Sequence, residues 1–220
     1  MSEADAEERA RSLAAGSVGA GDPTGWFERL YAAAEAGEGV VPWDREEPHP
    51  LLVRWAAERG LRGDGRRALV VGSGTGDDAE FIAGLGFETV AFDISGSAVR
   101  AAHRRYPHTS VQYVVADLLD PPAEWQQAFD LVVESLTLQA LPDPPRRDAI
   151  RRVGELVAPG GTLIVNTRAR DERDPDDGPP WALTRAEIDA IAAGGLEPTA
   201  ITDVREPGSR RWLAEYRRPG

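Results

Sequence analysis

The run Arg67-Ala68-Leu69-Val70-Val71-Gly72-Ser73-Gly74-Thr75-Gly76-Asp77-Asp78 constrains this chain more than any other. Its apolar segment reads as a buried strand that ends in three glycines at alternate positions. A helical stretch follows, from about Asp77 to Leu85. Strand, glycine turn and helix let a backbone approach a nucleotide-like ligand, because glycine lacks Cβ and tolerates positive φ.

The details around the turn narrow the ligand. A dinucleotide fingerprint places a small residue where Asp77 stands, for close helix packing. Asp77 and Asp78 open the helix where a pyrophosphate would sit, and their charge repels one. A second strand, Glu88 to Asp93, ends in an acid about 20 residues after the first glycine, the position from which a carboxylate grips ribose hydroxyls. A ligand with an adenosine-type ribose, no phosphate and some positive charge is implied. S-adenosylmethionine meets all three conditions.

From Arg67 onward strands and helices alternate, which predicts a parallel sheet with helices on both faces, an α/β Rossmann-like three-layer sandwich. Strands are expected near 67–72, 88–93, 111–115, 129–134 and 161–167, and helices near 77–85, 96–105 and 145–157. Two further strands near 197–205 and 210–217 form a closing hairpin across Glu206-Pro207-Gly208-Ser209. Thr184 with Glu187 three residues on reads as a capping box for a helix to about Ala193. The acidic segment from Asp171 to Pro180 reads as a loop or lid.

Residues 1–22 are polar, rich in Ala, Gly and Glu, and read as a disordered, frayed tail. Residues 23–220 are expected to form a single domain, with 24–59 as a helical cap and 60–220 as the core. Thr24 can cap a helix over roughly Gly25 to Ala36, with Trp26, Leu30 and Ala33 on one stripe. Three prolines between Pro42 and Pro50 make that segment extended and stiff. Pro50 starts another helix to about Arg59.

Composition excludes several chemistries. Cysteine is absent, so disulfides, thiolate zinc sites and a cysteine nucleophile are excluded. His49, His103 and His108 are scattered without metal-ligand spacing, and no metal is expected. No lysine is present, which excludes Schiff-base chemistry. A net charge of −12 argues against nucleic acid as a partner. No run of 18 apolar residues exists, so no membrane span is expected. The acidic N-terminus does not read as a signal peptide, and a cytoplasmic monomer or homodimer acting on a small molecule is the expectation.

Individual residues carry two readings each. Asp93, before Ile94-Ser95, is a ribose clamp or a helix N-cap. Asp117, before Leu118, accepts from an adenine amino group or forms a turn. Glu134-Ser135, at the end of the fourth strand, holds the cofactor's methionine end, sits near the acceptor, or is a solvated strand end.

Val70 to Gly76, Ala91-Phe92-Asp93-Ile94-Ser95, Ala116-Asp117, Phe129-Asp130-Leu131-Val132 and Leu156 to Gly161 resemble the motif series of class I S-adenosylmethionine-dependent methyltransferases. The resemblance covers about residues 60–170. It implies a seven-stranded, mostly parallel sheet with the last strand antiparallel. It also implies cofactor contacts from Gly72, Ser73, Gly74, Thr75, Gly76, Asp93, Ile94, Asp117, Leu118, Glu134 and Ser135.

Gly25-Trp26-Phe27-Glu28, Val41-Pro42-Trp43-Asp44, Pro48-x-Pro50-Leu51 and Gly178-Pro179-Pro180-Trp181 are similar to flanking segments of plant methyl halide and thiol methyltransferases. They are more distantly similar to thiopurine S-methyltransferases. In that group the N-terminal segment folds over the cofactor, which by position implicates Trp26, Leu30 and Trp43; core or lid packing is the plainer account of the same residues. For the acceptor, Trp43, Arg146, Pro180 and Trp181 are the candidates. The thiopurine enzymes place an arginine just after the fourth strand, where this chain has Ser135 and Thr137.

The expected reaction is in-line displacement at a sulfonium methyl, to which orientation can contribute up to about 7–11 kcal/mol. A thiolate or halide acceptor needs no strong base, in keeping with a chain whose base candidates are only His49, Asp44 and Glu47. An O- or N-methyltransferase on a small metabolite is the alternative. A nicotinamide-dependent oxidoreductase and a non-catalytic cofactor-binding protein are the rivals from other classes; Asp77 speaks against the first, and the flanking lid segments against the second.

Overall fold

Strand β1 (Arg67–Val71) lies at the middle of the sheet, hydrogen-bonded in parallel to β2 (Glu88–Asp93) on one side and β4 (Phe129–Ser135) on the other. The structure, a computed structural model, describes residues 3–220. The sheet order is β3-β2-β1-β4-β5-β7-β6, with β3 at Gln112–Val115, β5 at Val157–Arg168, β6 at Glu197–Glu206 and β7 at Ser209–Arg217. β7 runs antiparallel to both neighbours, and all other pairings are parallel. The expected seven-stranded α/β sheet with one reversed strand is therefore present.

A strand buried on both faces reads as a continuous apolar run, and β1 does so because its residues alternate between two cores. Leu69 and Val71 join Phe92, Leu163 and Trp212 on one face, under helices α6 (Pro145–Glu155) and α7 (Arg185–Ala190). Ala68 and Val70 join Ala91, Leu131 and Ile164 on the other, under α3 (Pro50–Glu58), α4 (Asp77–Gly84) and α5 (Gly96–Arg105). The capping box of α7 is formed as expected by Thr184 and Glu187.

Three expectations about the N-terminal region are corrected. Residues 3–19 form helix α1 (Glu3–Gly19) instead of a frayed tail. Its buried stripe is Ala6, Ala10, Ala14 and Ser17, small side chains that pack closely against α2 (Gly25–Glu35). Residues 1 and 2 of the expected tail lie outside the described residues. Helix α3 belongs to the sandwich and not to the cap, because Leu52, Trp55 and Ala56 are buried in the sheet's core. Its Trp55 Nε1 donates to Glu215 Oε2 on β7 at 2.8 Å.

The cap proper is α1, α2 and the proline-rich segment up to His49. Its own cluster holds Trp26, Leu30, Tyr31 and Val41. Thr24 does not cap α2 through its side chain; Asp22 Oδ1 accepts from the Gly25 N–H at 2.8 Å instead. Glu28 fixes the cap to the core, accepting from Ser95 Oγ and Ser97 Oγ at 2.6 Å each and from Ser97 N at 3.0 Å.

Candidate active site

The glycine turn is shaped by what presses on it. Gly72 has φ 60°, and a Cβ there would overlap the Thr137 hydroxyl, which donates to the Val71 carbonyl at 3.0 Å. Gly74 has φ 53°, and a Cβ there would stand 2.8 Å from Tyr31 Oη. Both positions need glycine for conformation and for space. Gly76, left-handed as well, is the N-cap of α4 and does not border the cavity.

Asp93 closes the turn from the end of β2. Its Oδ2 accepts from Gly74 N and its Oδ1 from Ser95 N, both at 2.9 Å. Burial pushes its carboxyl up to about 6, against the opposing effect of those two bonds. Each carboxylate oxygen has a second lone pair, so Asp93 still has acceptor capacity toward the cavity that it borders. The N-cap of α5 is the neighbouring Ser95, whose Oγ accepts from Ala98 N at 3.1 Å.

A cavity of about 340 Å³ opens over the C-terminal ends of the parallel strands, where ligands of open α/β sheets bind. Gly72 to Thr75, Asp93-Ile94, Asp117-Leu118 and Ser135 all border it. Asp117 forms an Asx-type turn as well, accepting from Leu119 N at 2.8 Å. Trp26 and Trp43 form its roof, with Pro180 from the loop after β5. The two tryptophans meet edge to face at 5.9 Å between ring centroids, and Trp43 Nε1 donates to Tyr31 Oη at 2.9 Å.

The acids at the start of α4 are not bare charges aimed at a ligand. Asp77 Oδ2 pairs with Arg105 Nη1 at 3.0 Å, and its Oδ1 accepts from Tyr106 Oη at 2.6 Å. Asp78 accepts from the His49 backbone N–H at 2.7 Å, which ties the end of the cap to α4. Burial raises the Asp78 carboxyl above its usual range.

The base candidates fare unequally. Asp44 does not border the cavity; Arg105 holds it at 2.8 and 2.7 Å. Burial alone would raise its carboxyl, but the Arg105 bonds outweigh that and keep it below its usual range. Glu47 borders the cavity, exposed and 3.7 Å from Arg45. His49 also borders it, but burial, with the Arg211 and Arg45 charges, lowers its imidazole to about 4. Its Nδ1 accepts from Leu51 N at 3.2 Å. A neutral imidazole accepting at Nδ1 carries its proton on Nε2. His49 therefore offers the cavity a hydrogen-bond donor, and not the lone pair a base needs.

Four other expected site residues lie off the cavity. Leu30 is core of the cap cluster, and Trp181 packs against that cluster. Glu134 is fully buried, its Oε1 accepting from Thr137 N at 2.7 Å and Leu138 N at 2.9 Å. Burial pushes it up to about 7, against those two bonds. Arg146 is 2 % exposed and bonded at 2.8 Å to both Asp176 and Glu187. It clamps the loop after β5 onto α6 and α7 and has no free face for an acceptor.

The sequence reading missed Tyr31, Gln139, Arg168 and Arg211, all of which border the cavity. Gln139 Oε1 accepts from Arg168 N at 2.6 Å, and its carbonyl accepts from Trp181 N at 2.7 Å, holding the 178–181 loop in place. Arg168 ends β5 and Arg211 opens the reversed β7, so both sit at the ligand-binding edge. The strand-end rule applied to those two strands would have found them.

Known proteins share this arrangement. A family profile described as "Methyltransferase domain" matches residues 68–161. A probable thiol methyltransferase 2 of Arabidopsis thaliana is 29% identical over 80% of this chain and 81% of its own length. Ubiquinone biosynthesis O-methyltransferase of Xanthomonas campestris pv. campestris is 34% identical over 58% of this chain, which spans about half (56%) of that relative. A solved structure titled for the conversion of a disulfide bond into a thioacetal group during echinomycin biosynthesis shares the fold. Its TM-score is 0.71 at 22% identity, covering 88% of this chain and 93% of the other. The chain thus carries a methyltransferase domain over residues 68–161 and is similar in fold and in sequence to class I S-adenosylmethionine-dependent methyltransferases.

Proposed function

We propose that the protein methylates a small sulfur nucleophile, a thiol or thiopurine-like compound, or a halide, by in-line displacement. The observation that carries this reading is how the expected base candidates are placed. His49 presents a donor to the cavity, and Asp44 is turned away from it to Arg105. An acceptor that ionises near neutrality, or is already an anion, needs nothing more.

The cavity fits adenosylmethionine. The turn at Gly72 and Gly74 is a cradle that a Cβ would fill, and the buried Ser73 Oγ lacks a partner. Asp93 would take the ribose hydroxyls, and Asp117 with the Leu118 backbone the adenine edge. Trp26, Trp43 and Tyr31 would cover the sulfonium end, where aromatic faces favour a cation by about 0.5–2 kcal/mol. When bound, the cofactor supplies an electrophilic methyl group. The chain's own part is to orient the acceptor against it and to exclude water, with the cap on one side and Pro180 on the other.

The O-methyltransferase reading is favoured by the relatives that act in ubiquinone biosynthesis. A screen with labelled adenosylmethionine against simple thiols, halides, thiopurines and phenols separates the two. Turnover of phenols alone would replace the sulfur reading with this one.

A further inference from the structure

Three donors gather where the cavity meets β5 and β7. Arg168 and Arg211 are direct cross-strand partners in the antiparallel β5–β7 pair, and like charges placed opposite each other destabilise a sheet. On these strands Ile164 and Leu213 pack in or against the core that holds α3. By the two-residue period of a strand, Arg168 and Arg211 face that same side, where His49 opens α3. His49 is 6% exposed and its Nε2 has no partner; Arg211 Nη1 is also buried without one. Burial lowers the Arg211 guanidinium from its ordinary value, the Arg168 and Arg45 charges add to that, and Glu206 opposes it. Glu206 is itself paired with Arg54 at 4.0 Å, and Arg45 with Glu47 at 3.7 Å. In a chain of net charge −12, the unpartnered donors of His49 and Arg211, with the exposed Arg168 beside them on the cavity's edge and Asp78 tied to the His49 backbone, suit an anionic ligand group.

We propose that His49, Arg168 and Arg211 form an anion subsite that holds a carboxylate of the methyl acceptor. Neighbouring strands lie about 4.8 Å apart, so this subsite stands roughly 5–10 Å across the sheet from the end of β4. The reacting atom would sit near the end of β4, by Ser135 and Thr137. An acceptor that spans the gap is a small organic thiol with its carboxylate a ring's width from sulfur. The inference rests on the methyltransferase reading of the cavity. It does not rest on sulfur as the reacting atom.

The test is calorimetric titration of the protein saturated with adenosylhomocysteine, using benzoate against neutral benzamide and 4-mercaptobenzoate against 4-mercaptobenzamide, the sulfur being ionised in both members of the second pair. Each carboxylate is expected to bind roughly tenfold or more tightly than its matching amide, the worth of a charge-assisted hydrogen bond. Arg168→Gln and Arg211→Gln, checked for unchanged adenosylhomocysteine binding, should each remove most of that preference. Arg168→Lys should keep part of it, and Arg217→Gln, at the far end of β7, all of it. Equal affinity for the amides and the carboxylates, or a preference that survives both glutamine variants, overturns the subsite. Methyl transfer to the two thiols is read separately. If benzoate binds through the arginines but neither thiol is methylated, the subsite stands and the sulfur reading falls.

Discussion

Gly74 N donates to Asp93 Oδ2 at 2.9 Å, so the glycine turn and the terminal acid of β2 form one hydrogen-bonded unit. Replacing Asp93 with Ala removes the proposed ribose acceptor and leaves Gly74 N and Ser95 N unsatisfied. Adenosylhomocysteine affinity is expected to fall at least about tenfold. In the wild type, affinity should also weaken as pH drops below about 6, where Asp93 takes up a proton. Titration calorimetry across that range checks both.

Trp43 links the roof of the cavity to the turn through Tyr31. Trp43→Phe keeps an aromatic ring, smaller than the indole, and loses the Nε1–H donor, so it should cost at least about 1 kcal/mol of stability. Trp43→Ala also removes the edge contacts with Trp26 and Tyr31. It should weaken adenosylmethionine binding by roughly tenfold. Comparing the two variants by thermal unfolding and by binding separates packing from recognition.

Glu134 makes the fold sensitive to pH. Its folded-state value of about 7 lies above its ordinary 4.5. Between those values the native state keeps a proton that the unfolded chain has released, so stability falls as pH rises. The loss should total roughly 3 kcal/mol, complete above about pH 7. Glu134→Gln keeps the oxygen facing Thr137 N and Leu138 N and removes the titration. Its denaturation midpoint should fall less between about pH 5 and 8 than that of the wild type.

His49→Ala should lower turnover without altering the shape of the pH–rate profile between about pH 6 and 9. The imidazole titrates near 4 and is neutral throughout that window. Loss of a limb near neutrality in the variant would restore His49 as a base.

The sheet was legible because its central strands are buried on both sides and read as apolar runs. The turn was legible because Gly72 and Gly74 leave no room for any other residue. Helix α1 was not, because its buried face is Ala6, Ala10, Ala14 and Ser17, which carries almost no hydrophobic signal. Trp26 and Trp43 could be placed at the cavity from the family resemblance. Leu30, Glu134 and Arg146 could not be told from site residues, because burial and ion pairing depend on distant partners such as Asp176. The reverse held for Arg168 and Arg211, whose meeting depends on β7 lying between β5 and β6.

The most direct test of the central claim is methyl transfer from labelled adenosylmethionine to matched thiols and phenols, followed against pH. Thiols are expected to be methylated and phenols not, with the rate rising as each thiol's own ionisation proceeds. Turnover of phenols with no turnover of thiols, or a thiol rate governed by an enzyme group and not by the acceptor, would contradict it.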